Sequence, residues 1–148
     1  MEKQGIAHEG KLLHWDKVVP NEKERSELDL LDGEEVYQLE ILRLMNNEPL
    51  AVSTTWLVAD EFPGIARYFS KFHSLYQILL EHYHLYPLRS RSVFQAVFPS
   101  LKDATLLEIK ENIPVIRTES IMNHPNGRPI EYTVSRTRGD RQKYIVEF

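Results

Sequence analysis

Alternation of hydrophobic and polar residues predicts two β-hairpins in this chain. The first spans 36–58, with its turn at 46–48. The second spans 115–138, and its turn contains the Asn126-Gly127 pair that favours chain reversal. Further strands are predicted at 11–20, 88–98 and 144–148. About seven strands are therefore expected, most of them with antiparallel neighbours.

Three other segments show the hydrophobic spacing of short helices. Each follows a residue whose side chain can cap the first turn: Asn21, Ser74 and Ser100. The helix after Asn21 is expected to bury Leu28 and Leu31. Short helices set among mostly antiparallel strands indicate an α+β domain.

Size and charge exclude several classes of protein. The chain has 148 residues and a mass of 17.4 kDa, which is the size of one domain. It has no cysteine, so disulfide bonds and thiolate metal sites are excluded. A net charge of −4 disfavours binding to nucleic acid through phosphate contacts. No apolar run is long enough for a membrane span or a signal core, so we expect a cytoplasmic protein with no membrane partner.

The sequence carries no local motif for catalysis, a cofactor or a metal. It lacks a GxSxG elbow, a GxGxxG turn, a P-loop and an HExxH helix. His82 and His84 lie two residues apart at a helix end, where the two rings point in different directions. We therefore assign no catalytic residue and expect neither a metal nor a cofactor.

A pair of arginines is the first of three candidate clusters for ligand binding. Arg89 and Arg91 are separated by one residue of a predicted strand, so they are expected on one face of it. Two guanidinium groups offer forked donors that fit a phosphate or a carboxylate. The alternative is an ordinary solvated strand end.

Two hydroxyl-rich strands supply the other clusters. One contains Ser53, Thr54 and Thr55, of which the first and third share a face; β-propensity alone would also explain them. In the other, a period of two gives one polar face and one mainly apolar face. The polar face has Glu131, Thr133, Ser135 and Thr137, and the apolar face has Ile130, Tyr132 and Val134. Such a polar face either meets solvent or lines a polar cavity.

Residues 33–51, GEEVYQLEILRLMNNEPLA, resemble a stretch of the UTRA effector-binding domain, found in HutC-type regulators of the GntR family of bacterial transcription factors. The likeness continues in the same order through Ser74-Leu75-Tyr76, 104–109, 113–116 and 126–132, and closes with Arg138-Gly139-Asp140-Arg141. It covers essentially the whole chain. Within the family, residues 131–138 resemble most closely the phosphonate-utilisation repressors.

The resemblance implies a fold like that of chorismate lyase, with an antiparallel sheet flanked by helices and an internal ligand cavity. It implies a homodimeric, ligand-sensing domain for a small anionic effector such as a phosphorylated sugar or a phosphonate. DNA would be bound only through a winged helix-turn-helix, which we expect to be absent from residues 1–148, a single UTRA-like domain. A chorismate-lyase-like enzyme on the same fold is the alternative.

The resemblance also implies which of these residues bind the effector. Family pockets use arginines on the strand after the SLY helix, here Arg89 and Arg91. They also use hydroxyls of an earlier hairpin arm and polar residues of the last one, here Ser53, Thr54, Thr55, Glu131, Ser135 and Thr137.

Overall fold

The computed structural model describes residues 8–140, and its strands form a single six-stranded sheet. The strands are β1 (His8–Val18), β2 (Val36–Met45), β3 (Glu48–Val58), β4 (Leu88–Val97), β5 (Val115–Asn123) and β6 (Pro129–Arg138). They lie in the order β1-β2-β3-β6-β5-β4, and all neighbours are antiparallel. The predicted α+β class is confirmed. The strand predicted at 144–148 lies outside the described residues.

The helices are α1 (Glu22–Glu27), α2 (Leu75–Tyr83) and α3 (Leu101–Leu107), with two 3₁₀ segments at Ala59–Glu61 and Ile65–Lys71. The side chains of Asn21, Ser74 and Ser100 cap the three α-helices, as predicted. No helix among residues 8–140 is both long and apolar enough to cross a membrane.

The prediction that the first helix buries Leu31 is wrong. Helix α1 ends after Glu27, and Asp29 has a φ of +53°, which turns the chain. Leu28 and Leu30 are buried instead, and Leu31 is 76% exposed. The helical spacing that linked Leu28 to Leu31 stops where the helix stops.

The two faces of the sheet are covered by different helices. The face that we call the α2 face carries Leu39, Thr55 and Thr133, which are aligned across β2, β3 and β6. The opposite face, the α1–α3 face, carries Trp56 and Tyr132, which are also aligned. Paired residues in neighbouring strands point the same way, so the register assigns every other position to one of these faces.

The hydrophobic core of the α2 face covers the β1–β3 half of the sheet and extends to the start of β6. There it joins the strand residues Tyr37, Leu39, Ile41 and Leu57 to Phe62, Ile65, Phe69, Leu75, Ile78 and Leu79 of the covering segments. Ile130 also belongs to this cluster, whereas Tyr132 and Val134 pack with Leu28 and Leu30 on the other face. The prediction that Ile130 shares a face with Tyr132 is therefore wrong. The register shifts between β5 and β6 at this point, and a shift changes the side to which a residue points.

On the α1–α3 face the core is divided into two clusters. One lies under the segment after α1 and contains Val36, Val58 and Tyr132. The other lies under α3 and contains Val52, Leu107 and Val115. The sheet between these clusters carries charged side chains.

Candidate functional site

The hydroxyl strip, formed by Ser53, Thr55, Thr133, Ser135 and Thr137, runs along β3 and β6 on the α2 face. Ser53 is aligned with Ser135, and Thr55 with Thr133. Their hydroxyl oxygens are 2.8 Å and 2.9 Å apart, respectively. The prediction that alternate positions of each strand share a face is confirmed for these residues.

Hydroxyls of the neighbouring strands extend the strip across the sheet. Thr118 of β5 is aligned with Ser135, and Ser120 with Thr133. The hydroxyl of Ser120 lies 3.1 Å from that of Ser92 on β4. A hydroxyl has one donor and two acceptor positions, so one cross-strand bond leaves capacity for a ligand. The strip can therefore satisfy its own groups and still bind a polar molecule.

A carboxylate, Glu131, marks one end of the strip. The hydroxyl of Thr133 donates to Glu131 Oε2 over 2.9 Å. Burial raises the pKa of Glu131, while the hydrogen bond from Thr133 and the positive charge of Arg89 act against this rise. Arg89 lies on the same face, because it and Glu131 are both aligned with Met122. Arg89 is therefore a counter-charge for Glu131.

Arg91 points to the opposite face from Arg89, so the prediction that the two share a face is wrong. The register between β4 and β5 shifts here: Arg89 is aligned with Met122, whereas Arg91 is aligned with Ile121. The extra residue is Ser90, and one extra residue reverses the side to which later residues point. On the α1–α3 face, Arg91 Nη1 lies 3.5 Å from a carboxylate oxygen of Glu27. The two arginines cannot form one anion site.

Thr54 is also separated from the strip. Its hydroxyl accepts a hydrogen bond from Arg136 Nη1 over 3.0 Å on the α1–α3 face. Of the eight residues predicted to bind a ligand, the α2 face therefore brings together six: Ser53, Thr55, Arg89, Glu131, Ser135 and Thr137.

A cation that sequence reasoning missed, Arg43, lies at the other end of the strip. Arg43 is aligned with Ala51, and Ala51 is aligned with Thr137. The Arg43 side chain is exposed and has no ion pair with the described residues. A pattern in the sequence could have found it, since Arg43 follows Leu39 and Ile41 at the spacing of their buried face.

The start of helix α2 lies close to Arg43. Gly10 is aligned with Arg43, and a Cβ on Gly10 would lie 2.8 Å from the carbonyl oxygen of His73. His73 directly precedes the cap residue Ser74. The segment that leads into α2 therefore lies at the same end of the strip as Arg43.

Within residues 8–140, no group of three or more His, Asp or Glu side chains is arranged to hold a metal ion. The residues of the strip offer hydroxyls, one carboxylate and a cation. Such groups bind and orient polar ligands. The internal cavity that the resemblance implies stays a prediction.

Comparison with known proteins gives a family match over nearly the whole chain. The UTRA domain model matches residues 3–143. The HTH-type transcriptional regulator GgaR of Escherichia coli strain K12 is 26% identical over 115 residues. That match covers 78% of this chain and 45% of GgaR. The chain thus spans less than half the length of this curated relative.

Solved structures share the fold. The effector domain of PhnF from Mycobacterium smegmatis superposes with a TM-score of 0.87 at 24% identity, covering 98% of this chain and 89% of the other. The ligand-binding domain of a regulator assigned to the GntR family, from Bordetella bronchiseptica, gives a TM-score of 0.89 at 21% identity, covering 100% and 93%. At these identities the likeness establishes the fold. Membership of the phosphonate-utilisation branch stays a prediction.

Proposed function

The chain belongs to the UTRA domain family, and on that premise we propose that it is the ligand-sensing domain of a bacterial GntR-type transcription regulator. The relatives that it matches are regulators and their ligand-binding domains. They support this function over the chorismate-lyase-like enzyme that the fold alone would allow. DNA binding would belong to a winged-helix domain outside these residues. We place the regulator in the cytoplasm, where its DNA is.

The effector lies along the hydroxyl strip, with its anionic end near Arg43 and its neutral end near Glu131. The single observation that carries this orientation is the separation of charge along the strip. At one end lies the Arg43 guanidinium, which has no ion pair among residues 8–140. At the other end, the half-buried carboxylate of Glu131 offsets the positive charge of Arg89. A carboxylate repels a phosphate, whereas hydroxyls and a guanidinium donate to it.

A phosphorylated sugar or a phosphonate fits this arrangement. Its sugar-like or polar end presents hydroxyls that can donate to Glu131. From Thr137 to Glu131 the β6 backbone spans about 20 Å, at roughly 3.3 Å per residue. The long side chains of Arg43 and Glu131 can reach inward from the two ends and shorten that span.

Arg89 and Arg91 have other roles in this proposal. Arg89 balances the charge of Glu131, and Arg91 binds Glu27 on the opposite face. The effector's anionic group is therefore bound by Arg43 and not by the arginines of β4.

The domain acts as a homodimer. Two-fold dimers are the commonest soluble oligomers, and the family resemblance implies the same assembly. Light scattering at tens of micromolar would give twice the 17.4 kDa of one chain. A measured mass equal to that of one chain would contradict the dimer but not the proposed effector site.

A thermal-shift screen with sugar phosphates, phosphonates and inorganic phosphate tests the site. An effector at about 100 times its dissociation constant stabilises the folded chain by about 2.7 kcal/mol. Arg43→Ala should remove most of that shift. Arg91→Ala is the matched control and should keep it, because that arginine lies on the opposite face. If Arg43→Ala kept the thermal shift and Arg91→Ala lost it, the effector site would be wrongly assigned.

A further inference from the structure

A cavity of about 340 Å³ opens on the α1–α3 face, directly behind the hydroxyl strip. Its floor is formed by β3, β6, β5 and the end of β4, and one wall by the start of α3. Its lining includes Trp56, Phe98, Val115, Arg117, Val134 and Arg136. The cavity lies between the cluster under α1 and the cluster under α3, where no hydrophobic cluster of the described residues fills the space.

Two aromatic side chains line this cavity. Trp56 is stacked on Tyr132, with ring centroids 5.2 Å apart and an interplanar angle of 22°, so its ring is held in place. Phe98 is 70% exposed, although it is large and apolar. The volume is at the lower end of the range for small-molecule sites, roughly 300–1,000 Å³, and is enough for a ligand with one ring.

The polar groups of the cavity differ in how completely they are bonded. Arg136 donates to both carboxylate oxygens of Asp103, over 3.0 Å and 3.2 Å, and also to Thr54. Arg117 donates to Glu119 through Nη1 alone, so its other N–H groups have no partner among the described residues. The buried indole N–H of Trp56 also lacks a partner within residues 8–140. Buried donors without acceptors are uncommon in folded proteins.

The charges favour a ligand with a single negative charge. Asp103 already balances Arg136, and Glu119 already balances Arg117. The lining itself contains Arg117, Arg136 and one carboxylate, Asp103, so it has one positive charge more than its negative charge. Asp103 and the nearby Glu119 would repel a doubly charged phosphate. A carboxylate can take the remaining donors of Arg117 at a lower electrostatic cost.

We propose that this cavity is a second ligand site and that it binds a small aromatic carboxylate. The ring lies against Trp56 and Phe98, and the carboxylate accepts hydrogen bonds from Arg117. This site is separate from the effector site on the α2 face. The two differ in chemistry, since the strip offers hydroxyls to a sugar-like anion and the cavity offers aromatic rings to a planar acid.

Benzoate is the probe that tests this site. In a Trp15→Phe background, Trp56 is the only tryptophan of the chain, so its fluorescence reports on the cavity. We expect a saturable change with a dissociation constant near 1 mM, and cyclohexanecarboxylate, which lacks the aromatic ring, should bind several-fold more weakly. No saturable change up to about 10 mM, where a 1 mM site is filled, would overturn the proposal.

Variants on the two faces locate the binding. Phe98→Ala changes an exposed side chain, so the fold is kept, and it should weaken benzoate binding about fivefold. Arg117→Gln should weaken it about tenfold, the usual effect of losing a charged hydrogen bond. Arg89→Gln is the matched control on the other face and should change the affinity less than twofold.

Competition separates this site from the effector site. Inorganic phosphate and the Arg43→Ala change should leave benzoate binding unaltered. If phosphate displaces benzoate, or if Arg43→Ala abolishes its binding, the acid occupies the strip and the second site does not exist. Failure of the phosphate-bearing ligands alone would contradict the proposed effector site and leave the cavity result standing.

Discussion

The two faces of β3 and β6 carry opposite kinds of polar chemistry on neighbouring residues. On the α2 face, neutral hydroxyls pair across the strands, as Ser53 does with Ser135. On the α1–α3 face, charged groups pair tightly, as Arg136 does with Asp103. Ser135 and Arg136 are adjacent in sequence, so the strand's period of two places their side chains on opposite faces. The parity of a position therefore decides whether a polar residue of these strands joins the hydroxyl strip or the charged pairs of the opposite face.

The two faces also shift the pKa of a carboxylate in opposite directions. On the α1–α3 face, the hydroxyl of Tyr132 donates to Glu119 over 2.6 Å. This hydrogen bond and the guanidinium of Arg117 lower the pKa of Glu119 to about 2, so its ionised form stabilises the fold. On the α2 face, burial raises the pKa of Glu131, so its ionised form costs stability. A ligand that donates to Glu131 can offset that cost.

The largest difference is expected between Arg136→Ala and Ser135→Ala. Removing Arg136 leaves the carboxylate of Asp103 buried without its main partner, which costs about 3–5 kcal/mol. Removing the Ser135 hydroxyl breaks one neutral hydrogen bond, which costs about 1 kcal/mol. Urea unfolding at pH 7 measures both. Equal losses of stability would show that the ion pair on one face is no stronger than the hydroxyl pair on the other.

Glu119→Gln should make the stability of the α1–α3 face depend less on pH. The folded-state pKa lies below the ordinary value of 4.5, so the stabilisation is present above about pH 4.5 and is lost as the pH falls towards 2. We expect the variant to lose about 2 kcal/mol at pH 7, the scale of a hydrogen bond to a charged group. Urea unfolding from pH 7 to pH 3 should show this gap narrowing. A gap that is constant with pH would mean that the lost stability is not due to the charge.

Glu131→Gln should slightly stabilise the ligand-free protein, whereas Glu119→Gln destabilises it. The pKa of Glu131 is higher in the folded chain than in the unfolded chain. Its protonated form therefore contributes stability below the unfolded-state pKa, and this contribution is lost as the pH rises through the folded-state pKa. The variant should therefore melt at a slightly higher temperature than the wild type at pH 8, and the difference should vanish in acid. A variant that melts lower at pH 8 would argue that Thr133 and Arg89 outweigh burial.

The same change should weaken a hydroxyl-bearing effector by about 1–3 kcal/mol, because a hydrogen bond to a charged group is lost. Free phosphate should be bound equally by both proteins. Calorimetry on the two proteins measures this, and equal affinity for the full effector would remove Glu131 from the site.

The hairpins and their boundaries could be predicted, because alternation over many residues determines both the strand and its buried face. The hairpin predicted at 115–138 has these outer bounds in the structure, since β5 begins at Val115 and β6 ends at Arg138. The register shifts could not be predicted, since an extra residue such as Ser90 leaves the local composition unchanged. That shift separated Arg89 from Arg91. The 3₁₀ segments at Ala59–Glu61 and Ile65–Lys71 could not be predicted either, because their residues show no regular hydrophobic period.

The candidate site was predicted in part for the same reason. The hydroxyl strip follows from period two within strands β3 and β6, and the sequence places Glu131 on it. The spacing of Arg43 from Leu39 and Ile41 indicates its face of β2, but its place beside Thr137 depends on the pairing of β3 with β6, which lie far apart in the chain. Only the alignment of Arg43 with Ala51 and Thr137 brings it to the strip.

Alkylation of single introduced thiols shows which face of the sheet the effector covers, because the chain has no cysteine of its own. Ser135→Cys puts a thiol on the hydroxyl strip, and Thr54→Cys puts one on the opposite face of the neighbouring strand. The compound that gives the largest thermal shift in the effector screen should slow alkylation of the Ser135→Cys protein at least tenfold and leave that of the Thr54→Cys protein unchanged. Protection at position 54 alone, or at neither position, would contradict an effector site on the α2 face.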